Sequence, residues 1–312
     1  MKLGAIGECM LEISNTQTID TNSNTMRASI GFGGDTLNTL IYASRLGVEC
    51  FYYSALGFDP YSDWLLNTWQ SEKINTRFVQ RIENKLPGIY AIQLDPEGER
   101  QFLYWRNESA AREYLKHIDE DVLLGQLAHL DIVYLSGITL GVFDDPQRER
   151  LLSIIRRLKL SGKIIAFDGN YRPRNWESAG QAQSWITRLL RYVDWYLPTL
   201  DDEKMLFDVG SIQDVIELHQ SHSISDLVIK DGSNGCWIVK DNKAVHVPIP
   251  QSVDSIDTTA AGDSFNAGYL AARLHGMVAS EAAIVGHKTA AQVIQYHGAI
   301  VPIADFKAVK FN

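Results

Sequence analysis

The sequence predicts an α/β protein with a mostly parallel central sheet and a small β-rich lid. Three observations lead there. Short apolar runs alternate with amphipathic stretches through most of the chain, which is the pattern of strands joined by helical crossovers. Two regions, residues 8–33 and 86–106, break that rhythm with extended segments. The apolar runs end in polar residues, as strands do when a site gathers at their carboxyl ends.

Taken in order, DIVYLSGI (131–138), KIIAFDGN (163–170) and DWYLPT (194–199) read as buried strands. The stretches between them, RERLLSIIRRLKL and QSWITRLLRYV, have helical spacing of their apolar residues. Strand, helix, strand at this spacing implies right-handed crossovers and parallel pairing. DLVIKDG (226–232) adds a strand, and GCWIVK and KAVHVP read as a hairpin joined by Asp241 and Asn242. Two helices, at about 263–275 and 279–295, follow. In the lid, GIYAIQLD and ERQFLYWR flank a tight turn at Pro96, Glu97 and Gly98.

Composition excludes several classes. A hydrophobic content of 45% with 21% charged residues is that of a globular protein. No apolar run reaches the roughly 18 residues that cross a bilayer, so no membrane partner is expected. The opening MKLGAIGECMLEI lacks the blocks of a signal peptide, and a cytoplasmic location is expected. A formal charge of −9 without a basic run argues against nucleic acid. Cys9, Cys50 and Cys236 form no C-x-x-C pair and read as core residues rather than disulfides or zinc ligands. His219 and His222 read as solvent-facing rather than metal-binding.

Two motifs carry chemistry. GFGGDTLNTLIYASRLG (31–47) is a poor dinucleotide fingerprint, because the preceding TNSNTMRAS is polar and no acidic residue follows a second strand at the required distance. Gly33 and Gly34 instead let the backbone approach a small ligand. Asp35, a helix N-cap by its type, and Asn38 offer polar atoms to the ligand's hydroxyls. In DTTAAGDSFNAGYLAARL (257–274), Ala260, Ala261 and Gly262 leave N–H groups unobstructed at a helix start, a ready anion site. A carboxylate repels phosphate, so Asp263 fits there as the acceptor of a proton from a hydroxyl attacking a phosphoryl group. The helix N-terminus is expected to lower its pKa.

These two motifs together are similar to the signature regions of the ribokinase-like (PfkB) carbohydrate kinases, and the resemblance covers essentially the whole chain. It implies a ribokinase-like three-layer α/β/α sandwich, residues 1–312 forming one kinase domain with the lid segments inserted. It also implies ATP as phosphoryl donor, Asp263 as general base, residues 260–263 as the anion hole, and a lid that covers the sugar and joins a homo-oligomer. For the nucleotide it implies Asn170, Arg172, the turn KDGSNG with Lys230, Gly232 and Gly235, and the loop YHGAIVP with Gly298 and Ala299, near which a monovalent cation can bind. The family's N-x-x-E motif for magnesium is altered to Thr199-Leu-Asp-Asp-Glu203, so Glu203 or Asp202 takes that role through water. Mg2+ itself is required to neutralise the triphosphate.

A narrower resemblance is to the branch of that family acting on 2-keto-3-deoxygluconate. It rests on GFGGDTLNT, NKLPGIYAIQLDPEGERQFLYWRNESAAR, FDGNYRPRNW, PTLDDE and TTAAGDSFNAGYL. A sugar acid brings a carboxylate, which Tyr104, Arg106 and Arg172 are equipped to bind. Tyr90 can pack or hydrogen-bond along the sugar chain, while Trp105, pointing opposite to its neighbours, is expected to be core.

Overall fold

In the computed structural model, which describes residues 1–14, 27–94, 100–240 and 243–311, the apolar runs become the strands of a nine-stranded sheet. Its order is Lys243–Val247, Cys236–Lys240, Asp226–Lys230, Trp195–Tyr196, Ile164–Asp168, Ile132–Ser136, Lys2–Ile6, Glu49–Tyr53 and Ile74–Asn75. Neighbours are parallel except in the C-terminal hairpin and where it joins Asp226–Lys230. Leu3 sits opposite Ile132 on one side and Cys50 on the other.

The strands are apolar on both faces because helices cover both. Ile132 and Tyr134 join Leu3 and Ala5 in one core, with Leu37 and Leu40 of the helix Asp35–Arg45 and with Phe265 and Leu270 of Ala261–Leu274. Val133 and Leu135 enter the other, with Leu151 and Ile155 of Asp145–Leu160 and Ile186 and Leu189 of Ala179–Leu190. The result is a three-layer α/β/α sandwich. Strand order reverses between Lys2–Ile6 and Ile132–Ser136, since the chain first builds toward Glu49–Tyr53 and then returns to build the other way. Such a reversal leaves a crevice at the carboxyl ends of the two strands.

Helix starts follow local chemistry. Asp144 caps Asp145–Leu160 by accepting the Gln147 N–H at 3.0 Å, and Pro146 occupies the first turn, where no N–H is needed. The helix expected from 263 starts two residues earlier, at Ala261, with Ala260 as its cap in the left-handed region at φ 59°. Asp35 likewise lies inside its helix rather than capping it, the cap being Gly34.

The lid is a four-stranded sheet in the order Ser29–Gly33, Met10–Ser14, Gly88–Leu94, Arg100–Trp105, so the two expected insertions combine. The expected turn at residues 96–98 and the hairpin turn at 241–242 lie outside the described residues. Alternation holds along the lid, but the expectation that Trp105 is core does not. Its side chain is 59% exposed, beside Leu103 at 41% and Ile30 at 52%, because among the described residues no layer covers that part of the face. The histidine expectation is also corrected: His219 is buried against the Glu203 carboxylate at 2.8 Å, at the inner end of Ile212–His219. All three cysteines are buried and free.

The helix carrying Asp263 packs closely on Ala279–Val293 through glycines. A Cβ on Gly268 would lie 2.6 Å from Thr289 Oγ1 and 2.9 Å from the Gly286 backbone. Gly268→Val should therefore lower stability by about 1–3 kcal/mol through overpacking, in spite of any gain in helix propensity. Gly125→Ala, where an added Cβ meets open space on an outer helix, should stabilise by about 0.5–1 kcal/mol. Urea denaturation of both variants checks the pair of signs.

Candidate functional site

A cleft of about 1650 Å³ opens where the lid faces the carboxyl ends of the sheet. In one wall it brings together Gly34, Asp35, Asn170, Arg172, Lys230 and residues 260–263, with Tyr104 and Arg106 reaching in from the lid. Asp263 stands in the first turn of its helix, half-buried, and accepts a hydrogen bond from Asn38 Nδ2 at 2.9 Å. The N–H of Ala261 turns back to the Thr258 carbonyl at 3.1 Å. Those of Gly262 and Asp263 belong to the first turn of the helix, ahead of any intrahelical acceptor.

Two more carboxylates lie close by. Asp35 accepts from Asn170 Nδ2 at 2.9 Å, and Asp168, at the end of its strand, from Asn266 Nδ2 at 2.7 Å. One ammonium serves the group: Lys230 Nζ is 3.2 Å from Asp168 and 3.1 Å from Asn266 Oδ1, and it lies beside Gly262. Asn170 holds a left-handed backbone at φ 28°, a conformation asparagine tolerates better than most residues, and its Oδ1 is buried without a partner among the described residues. Burial and the neighbouring Asp35 and Asp168 push the Asp263 carboxyl from the ordinary 3.8 up to about 8, against the pull of Asn38 and Lys230. Burial likewise raises Asp35. The expectation that the helix N-terminus lowers the Asp263 pKa is thus overturned.

On the lid side, Arg106 is 11% exposed and pairs with the buried Glu8 carboxylate. Its NH1 is 3.3 Å from Asn175 Oδ1, and its Nε is buried with no partner among the described residues. Glu8 also accepts from the Ser109 hydroxyl. Arg172 is half-exposed and pairs with Asp202 at 3.0 Å, which places it beside the strand ends rather than with Arg106. Tyr104 is 43% exposed and packs on Phe102 and Tyr90.

Several expected residues do not line the cleft. The Tyr90 hydroxyl donates to Glu12, and Gly33 is needed because a Cβ there would come within 2.5 Å of that oxygen. Asn38 acts on Asp263 rather than facing the open space. Gly232 and Gly235 shape their turn with positive φ, and the Ala299 carbonyl is taken by the Tyr42 hydroxyl at 2.7 Å. Glu203 is corrected: its two oxygens are occupied by Tyr196 and His219, away from the cleft, whereas Asp202 lines it. Counting N-x-x-E from Thr199 selects Asp202, a signal the sequence did contain. Glu8 and Asn266 were missed as site residues, while Asp168, in KIIAFDGN, is one of the polar strand endings expected to gather at the site. Asn266 could have been found three positions after Asp263, on the same helix face.

An open α/β/α sandwich with a β lid over a carboxylate at a helix N-terminus defines a ribokinase-like protein. The chain belongs to the pfkB family of carbohydrate kinases, whose sequence pattern matches residues 2–305. It is 42% identical to the 2-dehydro-3-deoxygluconokinase of Dickeya dadantii over 96% of this chain and 97% of that one. The solved 2-dehydro-3-deoxygluconokinase of Thermotoga maritima superposes with a TM-score of 0.81 at 18% identity, covering 98% of each chain. A sugar kinase of Pyrococcus horikoshii in complex with ATP superposes at 0.78 and 24% identity, covering 95% of this chain and 93% of that one.

If Asp263 is the base, it must ionise before it can accept a proton. The pH profile of kcat/KM should rise along a limb near 8, and Asp35→Asn should move that limb to lower pH. An unmoved limb would separate the two carboxylates. The raised pKa also means that the folded chain holds a proton the unfolded chain has released. This group's contribution to stability is full below the unfolded value and is lost as pH rises through the folded one. Asp263→Asn should accordingly melt at a higher temperature than the wild type at pH 8.5.

Proposed function

We propose that this protein is an ATP-dependent 2-dehydro-3-deoxygluconokinase, phosphorylating the terminal primary hydroxyl of 2-dehydro-3-deoxy-D-gluconate to give the 6-phosphate. Such a step serves sugar-acid catabolism of the Entner–Doudoroff or hexuronate type in the cytoplasm. The observation that carries the reading is the pairing, in one cleft, of Asp263 at a helix N-terminus with a lid arginine whose Nε has no partner.

Asp263 takes the proton as the hydroxyl oxygen bonds to the γ-phosphorus and the bond to the β-phosphate oxygen breaks, releasing ADP. The N–H groups of Gly262 and Asp263 receive the charge on the transferring group, and Lys230 lies beside them. Asn38 fixes the orientation of the base. Arg106, held by Glu8, and Tyr104 bind the acid end, while Gly34 and Asp35 face the hydroxyl chain.

Among the described residues no group of three or more His, Cys, Asp or Glu side chains could hold a metal. Asp202, whose side chain lines the cleft, would hold a magnesium ion through water when the nucleotide brings one. When bound, the ion neutralises the triphosphate.

Asp263→Asn should lower kcat by about a thousandfold or more while ATP binding stays near normal. Parallel assays on 2-dehydro-3-deoxygluconate, fructose and ribose test the substrate. Preference for fructose, or full activity in Arg106→Ala, would defeat the sugar-acid reading. The uncovered lid face with Ile30, Leu103 and Trp105 is the proposed contact of a homo-oligomer. Trp105→Lys should then shift the sedimentation coefficient to that of the monomer.

A further inference from the structure

Arg112 lines the cleft next to the lid, on the short helical turn Ala110–Lys116. Its backbone is fixed at both ends, since its N–H reaches the Ser109 carbonyl at 3.1 Å and its own carbonyl accepts from Gln147 Nε2 at 3.0 Å. Its side chain is half-buried, yet among the described residues its guanidinium has no acceptor. The neighbouring carboxylates explain why. Glu8 is taken by Arg106 and Ser109. Asp144 is taken by Lys116 and by the start of its helix, and Asp145 by Arg148. A positive group with five donors is thus left facing the cleft beside Arg106, another positive group, and burial together with Arg106 and Arg148 lowers its pKa. Holding such a group unpaired is unfavourable unless a ligand anion completes it.

We propose that Arg112 is a second guanidinium for the substrate's carboxylate, acting with Arg106 as a specificity-determining residue for sugar acids. The inference rests on the sugar-acid reading above. Arg106 alone has two of its nitrogens engaged by protein oxygens, which leaves little of its fork for a ligand. Arg112 supplies free donors at the same end of the cleft, so the pair can hold both oxygens of a carboxylate.

The test compares wild type, Arg112→Gln and Arg112→Lys in steady-state kinetics, with calorimetric binding of 2-dehydro-3-deoxygluconate in the absence of ATP. Arg112→Gln should raise both the KM and the Kd for the sugar acid by tenfold or more, with kcat within threefold, KM for ATP within twofold and an unchanged melting temperature. Arg112→Lys should recover part of the loss, since an ammonium keeps the charge but not the fork. Any slow turnover of fructose should be insensitive to the substitution. An unchanged KM and Kd for the acid, or equal losses with acid and fructose, would overturn the role of Arg112 while leaving the kinase reading intact. Failure of the wild type itself to bind or phosphorylate the acid would overturn both.

Discussion

Three carboxylates gathered at the strand ends and helix starts set the terms for everything else in the cleft. Asp35, Asp168 and Asp263 come from three distant parts of the chain, and Lys230 pairs with Asp168 and acts electrostatically on Asp263. What satisfies them individually is an amide apiece: Asn170 for Asp35, Asn266 for Asp168 and Asn38 for Asp263. An amide donates a hydrogen bond without adding charge. Mutual repulsion and burial therefore persist, and they hold the Asp263 carboxyl well above the ordinary carboxylate range. A helix N-terminus contributes about 0.3–1 kcal/mol to a nearby anion, less than the 1.4 kcal/mol or so that moves a pKa by one. It cannot offset a displacement from 3.8 to about 8.

The sheet makes this gathering possible. Asp168 and Lys230 end two strands separated only by the short Trp195–Tyr196, so their side chains meet across it. Asp35 and Asp263 begin helices packed on the same face, and Thr39 ties them, its hydroxyl lying 3.1 Å from the Asp35 carbonyl and 3.2 Å from that of Asp263. The close packing of Gly268 against Gly286 sets how deeply the second of those helices sits. A displacement there moves Asp263 relative to the strand ends, so a packing residue well along the helix bears on the geometry of its first turn.

Much of this was legible in the sequence because the signals are local. Apolar runs bounded by polar ends marked the strands, and the small residues before Asp263 marked the helix start at which it stands. What was not legible depends on pairing at long range. Glu8 follows an apolar strand and looks like any loop residue until Arg106, 98 positions later, lies against it. The Asp263 pKa was misjudged because one helix end is visible in the sequence, whereas the burial and the two facing carboxylates are tertiary facts. Trp105 shows the converse limit: alternation correctly separated it from Tyr104, but alternation cannot say whether the face it joins is covered.

Arg106 and Arg112 stand together at the lid side of the cleft, whose lining also includes Asp35, Asp168 and Asp263. Under the proposed reading, an extended molecule with a carboxylate at one terminus and a hydroxyl at the other enters with its carboxylate toward the arginines. A neutral sugar lacks that constraint and can lie either way, so fewer of its bound complexes bring a hydroxyl to the base. Selectivity for an acid then arises from the fraction of productive complexes as well as from affinity. On this view the arginines and Asp263, in the roles proposed for them, act together in choosing the substrate.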